Sequence, residues 1–120
     1  MIIDITPVPY KRQTVSDKWK TGSKKRPELA RYHAFRDELR AKWGAGGFPE
    51  RVSLTFCMAI PTGKKAEYRE RIGRPHEQTP DLDNLVKAVL DALCKSDAHI
   101  YEIHAIKRWE EKGCIIIESL

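Results

Sequence analysis

The sequence predicts a single α+β domain in which a mixed β-sheet packs against two helices, with its elements in the order β-α-β-α-β-β. Three observations lead to this fold class. The chain has 120 residues, of which 41% are hydrophobic and 32% charged, which suits one core but not two. Two segments repeat apolar residues at helical spacing, and the other apolar segments are short and strand-like. No internal repeat or low-complexity segment interrupts the chain, so residues 1–120 form the predicted domain.

The first strand and the first helix are separated by a basic segment. Three isoleucines among the first five residues are β-prone, and Pro7 and Pro9 end this strand because proline cannot donate to a strand ladder. Residues 10–27, YKRQTVSDKWKTGSKKRP, lack apolar periodicity and are predicted to form an exposed loop. Beyond them, apolar residues recur at steps of three and four and predict a helix of about four turns that stops before Gly44. They are Leu29, Tyr32, Phe35, Leu39 and Trp43.

The second strand is predicted at residues 51–60, RVSLTFCMAI. Its larger side chains alternate with smaller ones at period two, and Pro61 ends it. Residues 62–80 are highly charged, contain glycine and proline and lack a sustained apolar face. They are predicted to form a mobile loop.

The second helix and two final strands complete the predicted domain. Apolar residues return at helical spacing from Asp83 to about Lys95, which predicts an amphipathic helix. Residues 99–109 and 113–120 are strand-like and flank the polar turn EEKG, which predicts a closing hairpin.

The composition excludes several classes of protein. The net charge is +5, and its excess lies in residues 1–60, which hold 12 basic and six acidic side chains against 10 and 11 in residues 61–120. No apolar run approaches the ~18 residues that span a bilayer, and the opening MIIDITPVPYKR lacks the order of a signal peptide. A cytoplasmic protein without a membrane partner is therefore expected. Cys57, Cys94 and Cys114 form no zinc-binding spacing and are interpreted as reduced, mostly buried thiols.

Acidic residues gather at both ends of the second helix, in the segment PDLDNLVKAVLDALCKSD. Asp81 and Asp83 lie two positions apart where an extended chain enters the helix, so both carboxylates can lean to one side. Each has an ordinary explanation as an N-cap, as a first-turn charge favoured by the helix dipole or, for Asp83, as an ion pair with Lys87. Asp97 follows the helix, and spacing alone does not show whether it rejoins the pair.

Three converging carboxylates would point to metal chemistry. They repel each other unless a hard cation lies between them, and oxygen ligands of this kind suit Mg²⁺ or Mn²⁺. Such an ion lowers the pKa of a bound water and stabilises the oxygens of an in-line displacement. Lys87, one turn beyond Asp83, would meet negative charge that develops on a phosphate. The chemistry indicated is hydrolysis of a phosphodiester bond.

The string D-L-D-N-L-x-K-A-x-x-D-A-L at residues 81–93 is followed by S-D-A-H-I and a strand that contains Lys107. This pattern closely resembles the RusA family of Holliday-junction resolvases, and the resemblance extends more loosely along the rest of the chain. It implies a small endodeoxyribonuclease, of a kind common in bacterial prophages, that acts in DNA recombination and repair. It also implies a homodimer that binds four-way DNA junctions and cuts paired strands with Mg²⁺ or Mn²⁺.

The resemblance also implies roles for individual residues. The metal-binding acids of the family fall at Asp81, Asp83 and Asp97. Lys87 matches the catalytic lysine, Asn84 is assigned to helix capping or to support of a metal ligand, and Asp91 to a structural role. The link between the helix and the third acid is shorter here than in the family. If Asp97 does not reach the pair, Glu102 or His99 is the nearest substitute.

The basic surplus suits binding to a phosphate backbone, although many loops are basic merely for solubility. The predicted DNA contacts lie in the basic segment, in the central loop and near the acidic site: Lys11, Arg12, Lys24, Lys25, Lys64, Lys65 and Lys107. No helix-turn-helix or zinc-finger pattern is present, so shape recognition is expected. Two alternatives stay open: a junction-binding protein without catalysis, and a nuclease for other branched nucleic acids.

Overall fold

A computed structural model of the protein describes residues 1–12 and 26–120. Its elements are β1 (Ile2–Ile3), α1 (Pro27–Trp43), β2 (Arg51–Ala59), α2 (Lys65–Tyr68), a 3₁₀ turn (Arg69–Arg71), α3 (Leu82–Leu93), β3 (Glu102–Glu110) and β4 (Cys114–Ser119). The predicted α+β class and element order are confirmed, with the short α2 added. None of the described helices is long and apolar enough to cross a membrane. Lys24 and Lys25, two of the predicted DNA contacts, lie outside the described residues.

The four strands form one mixed sheet in the order β1-β4-β2-β3. β2 and β3 run parallel, whereas β4 is antiparallel to both β1 and β2. The predicted closing hairpin is therefore wrong, because β4 joins the far side of β2 and does not pair with β3. A polar turn predicts that the chain reverses, but it does not determine which strand the chain joins next. In its place between β1 and β2, strand β4 has the side chains of Ile115 and Ile117 almost completely buried. If β4 paired with β3 instead, both residues would lie on an edge strand of the sheet.

The core lies between one face of the sheet and the two long helices. Alternate residues of β2 are fully buried there, among them Val52, Leu54 and Phe56. The predicted apolar stripe of α1 faces this core, and α3 contributes a second buried stripe: Leu85, Ala88, Val89 and Ala92. Because α3 is held by its inner side, its outer side presents Asp83 and Lys87 to solvent.

Residues 62–80, predicted to be a loop, contain α2 and the 3₁₀ turn and then reach the outer edge of β3. The amide of His76 donates to the carbonyl oxygen of Lys107 at 3.0 Å. The rings of Tyr68 and His76 pack on Trp109, with centroid distances of 5.4 and 4.3 Å. No local pattern predicts this docking, because the partner ring lies far along the chain.

The cysteines are free thiols, as the sequence predicts, with Cys57 buried and Cys94 and Cys114 half-buried. Cys57 lies directly opposite Cys114 across β2 and β4. Burial and a hydrogen bond with Cys57 raise the pKa of the Cys114 thiol to about 12. This thiol therefore stays protonated at neutral pH and packs as a small apolar group.

A hydrogen bond between side chains ties α1 to α3. The hydroxyl of Tyr32, a residue only 2% exposed, donates to the carboxylate of Asp91. Nearby, Nε of Arg40 donates at 2.8 Å to the carbonyl oxygen of Ala92, in the last turn of α3. These contacts hold the end of the helix and agree with the structural role predicted for Asp91.

We expect the substitution Tyr32→Phe to lower the free energy of unfolding by about 1–2 kcal/mol. A hydrogen bond to a charged group contributes about 1.5–3 kcal/mol, and the exposure of Asp91 places this one at the lower end. Urea denaturation followed by circular dichroism measures the change. Tyr101→Phe removes a hydroxyl from a residue that is 70% exposed and serves as the control. Identical unfolding midpoints for wild type and Tyr32→Phe would contradict the expectation.

Candidate functional site

Two carboxylates, those of Asp81 and Asp83, lie at the start of α3. Asp81 is the N-cap residue, with φ −67° and ψ 144°, but its side chain makes no capping hydrogen bond. Asp83 lies in the first turn, and both residues are exposed. Among the described residues neither of them forms an ion pair, not even Asp83 with Lys87. Asp83 has the first-turn position that the helix dipole favours, but capping by the Asp81 side chain and ion pairing of either carboxylate are absent among the described residues. Both carboxylates are therefore free to bind a ligand.

The backbone immediately before Asp81 is held by Lys107 of β3. Nζ of Lys107 donates to the carbonyl oxygen of Gln78 at 2.5 Å and to that of Pro80 at 2.6 Å. An ammonium group has three donors, so two of the three are used inside the protein. Lys107 thus holds the backbone that leads into α3. Its predicted contact with DNA stays a prediction.

Tyr10 joins the opening segment to α3 and lies beneath Lys87. Its amide donates to the carbonyl oxygen of Asn84 at 3.0 Å, and its ring packs edge-on against Tyr32 with centroids 5.3 Å apart. Nζ of Lys87 lies 4.6 Å from the centroid of the Tyr10 ring, within the range of a cation–π interaction. The sequence did not predict the place of Tyr10 beneath Lys87, because these contacts depend on where α3 folds.

Asp97 and Asp81 line two different depressions. A groove of about 200 Å³ is lined by Lys87 and Asp97, and a cleft of about 700 Å³ by Asp81 and Asn84, with Tyr10 lining both. In the part of the chain that the structure describes, no three His, Cys, Asp or Glu side chains are grouped closely enough to hold a metal ion. The fold therefore brings Asp81 and Asp83 to one helix start but does not bring Asp97 into a cluster with them.

The course of the chain explains this separation. α3 has 12 residues and rises ~18 Å, so the link that carries Asp97 begins at the far end of the helix. β3 then runs back along α3, and only its later residues reach the helix start. The strand consequently brings Lys107, rather than Asp97, next to Asp81.

Glu102 and His99, the predicted substitutes for Asp97, are engaged elsewhere. Glu102 accepts a hydrogen bond from Nε of Arg51 at 2.7 Å and contacts Nε2 of His104 at 2.8 Å. The bond from Arg51, and then that with His104, lowers the pKa of the Glu102 carboxyl below its ordinary value. Nε2 of His99 lies 3.2 Å from the backbone carbonyl oxygen of residue 48. Neither side chain is free to replace Asp97.

Comparison with known proteins assigns the chain to a family. Over residues 4–118 the sequence matches the family described as Endodeoxyribonuclease RusA. The chain belongs to the RusA family. No curated protein and no solved structure matches it. Membership makes the chain an endodeoxyribonuclease of a family that acts on Holliday junctions, which are branched DNA, and it confirms the resemblance seen in the motif.

The basic residues of this RusA-family chain lie partly around the Asp81 cleft. Lys11 and Arg31 both line it, and Arg31, on α1, was not among the predicted contacts. The helical position of Arg31 carries no motif, so no sequence signal distinguishes it from any other exposed arginine. Of the other described members of the predicted set, Lys107 is half-buried, and three are exposed: Arg12, Lys64 and Lys65. DNA contact by all of these residues stays a prediction.

Proposed function

We propose that this RusA-family endodeoxyribonuclease resolves four-way DNA junctions during recombination and repair by metal-dependent hydrolysis of phosphodiester bonds. The observation that carries the proposal is the pair of free carboxylates at the start of α3, Asp81 and Asp83. The cleft lined by Asp81 also holds the basic side chains of Lys11 and Arg31, which suit a phosphate backbone. The proposal places the protein in the cytoplasm of a bacterium, encoded by the host or by a prophage.

The donor set at the helix start fits Mg²⁺, with Mn²⁺ as a substitute. Mg²⁺ is a hard cation that prefers oxygen ligands, and proteins commonly hold it by one or two carboxylates, with waters and substrate phosphates completing its shell. Asp81 and Asp83 provide two such carboxylates without a competing partner. When bound there, the ion would supply an activated water and charge stabilisation for an in-line displacement.

Lys87 is the proposed catalytic lysine. It lies one turn beyond Asp83 on the exposed side of α3, and Tyr10 holds its ammonium group by a cation–π contact rather than an ion pair. Its positive charge is thus available to meet the negative charge that develops on the phosphate during cleavage. Asp97 shares the groove of Lys87, so we propose that its carboxylate helps to orient Lys87. The placement of Asp97 gives no support to its predicted part in binding the metal.

We further propose a homodimer. Resolution of a four-way junction requires two symmetrical cuts, and two catalytic sites related by a two-fold axis meet that requirement. Light scattering of the purified protein should then give about twice the chain mass of 13.8 kDa.

The direct test is incubation of the purified protein with a labelled four-way junction. Paired symmetrical nicks that need Mg²⁺, stop in EDTA and resume when Mg²⁺ is restored would support the proposal. A junction that shifts in a gel but is never nicked would identify a binding protein without catalysis. A panel of flaps, three-way junctions, duplexes and RNA at the same salt concentration separates junction resolution from cleavage of other branched substrates.

Junction affinity should depend steeply on salt. With about four to six phosphate contacts, a plot of log affinity against log salt concentration should have a slope of roughly −4 to −5. Fluorescence anisotropy in EDTA, where no cleavage occurs, measures this slope. Lys11→Ala should make the slope shallower by about 1. Lys42→Ala, at the opposite end of α1 from Arg31, is the control and should leave it unchanged. A slope close to zero for the wild type would contradict phosphate-driven binding.

A further inference from the structure

Leaving aside the aromatic residues Tyr32 and Trp109 and the thiol of Cys57, His76 is the one buried residue with a polar side chain in the part of the chain that the structure describes. It is only 7% exposed, and its Nδ1 is closed to solvent and has no hydrogen-bond partner. Buried polar atoms in folded proteins are nearly always paired, so an unpaired ring nitrogen needs an explanation. Packing alone does not explain the histidine, because an apolar ring of the same size would fill the space against Trp109 without leaving a buried nitrogen unpaired.

Two contacts fix the position of this side chain. The imidazole packs on the indole of Trp109, with ring centroids 4.3 Å apart and an interplanar angle of 51°. The backbone amide of His76 donates to the carbonyl oxygen of Lys107 at 3.0 Å, which attaches this part of the chain to the edge of β3. The ring is therefore held in one place before any ligand arrives, which lowers the entropic cost of using it in binding.

The ring lies at the proposed catalytic site. His76 lines the same cleft as Asp81, Asn84 and Lys11. Lys107 links His76 to the backbone just before Asp81. Its backbone carbonyl accepts a hydrogen bond from the amide of His76, and its Nζ donates one to the carbonyl oxygen of Pro80. Since Nδ1 is closed off, Nε2 is the ring nitrogen left to meet a ligand in the cleft.

The charge state of the ring follows from its surroundings. Burial and then the positive charge of Lys107 lower the pKa of His76 below its ordinary value. The imidazole is therefore neutral at neutral pH and offers one N–H donor and one bare nitrogen. Protonation of the ring would place a second positive charge near Lys107, and it would put a proton on the buried Nδ1, which has no acceptor. Both effects disfavour the imidazolium, and they therefore disfavour a role for His76 as a general base.

We propose that His76 contacts the DNA in this cleft, with its Nε2–H donating a hydrogen bond to a phosphate oxygen at or beside the bond that is cut. This inference rests on the proposed function of the Asp81 site. A phosphate oxygen accepts readily from a neutral N–H, and a donor fixed beforehand stabilises charge that develops during cleavage. In the uncomplexed protein the cleft that Asp81 lines thus also holds a fixed imidazole ring with an unpaired buried nitrogen.

Three substitutions at position 76 separate hydrogen bonding from packing. His76→Phe keeps a ring against Trp109 but has no donor. His76→Gln places an amide N–H near the position of Nε2, and His76→Asn places one near Nδ1. His104→Gln is the matched control, because His104 is exposed on β3 and contacts Glu102 instead of the cleft. Single-turnover cleavage of a four-way junction, junction affinity in EDTA and Tm are measured for every variant.

We expect His76→Phe and His76→Asn to cut about a hundred- to a thousandfold more slowly than wild type, with the Tm of His76→Phe equal to or above that of wild type. His76→Gln should recover most of the lost rate, and His104→Gln should cut like wild type. If His76→Phe is poorly folded, the difference between the Gln and Asn variants decides the question.

Wild-type cleavage by His76→Phe, or rates for folded Gln and Asn variants that are equally low, would overturn the role of His76 and leave the proposed function intact. A wild-type protein that never nicks the junction would overturn the proposed function and the role of His76 together. Cleavage by the wild-type protein therefore distinguishes failure of the His76 proposal from failure of the proposed function.

Discussion

Asp83→Asn should abolish junction cleavage while leaving junction binding unchanged or tighter. The carboxylate is exposed in the first turn of α3 and forms no ion pair with any described residue, so its removal breaks no ionic contact of the fold. The substitution does remove one of the two carboxylates proposed to bind Mg²⁺, which should stop cleavage. It also removes a negative charge that would face the phosphate, so binding should not weaken. The loss of rate should exceed about a hundredfold, because residues that merely orient a metal ligand already contribute about 10–100-fold. Single-turnover cleavage and anisotropy measure rate and affinity separately.

The control for this substitution is Asp37→Asn, which makes the same chemical change on an exposed residue of α1. It should bind and cut like wild type. Isothermal calorimetry adds a readout that does not depend on activity, since Asp83→Asn should take up Mg²⁺ more weakly than Asp37→Asn. Full Mg²⁺-dependent cutting by Asp83→Asn would contradict the assignment of the metal to this helix start.

Lys87→Ala should reduce the cleavage rate by about 10²–10³-fold, the range seen when one preorganised group that stabilises transition-state charge is removed. Affinity for the junction should fall much less, because Lys87 provides only one of several positive charges near the DNA. The side chain is exposed and contacts Tyr10 through its ammonium group, so the helix should fold without it. Comparing single-turnover rates with dissociation constants measured in EDTA distinguishes the two effects.

Lys112→Ala, at the exposed turn between β3 and β4, is the control for loss of one positive charge. Equal losses of rate and affinity in Lys87→Ala would reassign Lys87 to DNA binding. Adding Asp97→Asn to Lys87→Ala tests the proposed pairing in their shared groove. If Asp97 acts through Lys87, the double variant should cut no more slowly than Lys87→Ala alone.

Local spacing was sufficient to predict the elements that carry the site. The apolar residues of α1 and α3 recur at helical steps, and the alternation in β2 follows the pleat of a strand. The string that begins at Asp81 placed both carboxylates where the chain enters α3, and the structure has them there. Each of these features depends on neighbours within a few residues, so the order of amino acids is enough to specify it.

Pairing over long distances was not predictable in the same way. The polar turn before β4 indicated that the chain reverses its direction. It did not indicate that β4 would pair with β1 and β2 rather than with β3. Residues 62–80 look like a charged loop because no apolar stripe runs through them. Their contact with β3 depends on Trp109, which the chain reaches much later.

The sequence by itself determined the two helices, the central strand and the carboxylate pair of Asp81 and Asp83, because all of these follow from contacts between near neighbours. Only the tertiary structure decided what surrounds that pair. The length of α3 keeps Asp97 at its far end. The return of β3 brings Lys107 to the carbonyl oxygen of Pro80 and holds His76 in the Asp81 cleft. Such placements depend on how rigid elements pack around a shared core, which residue spacing along the chain does not specify.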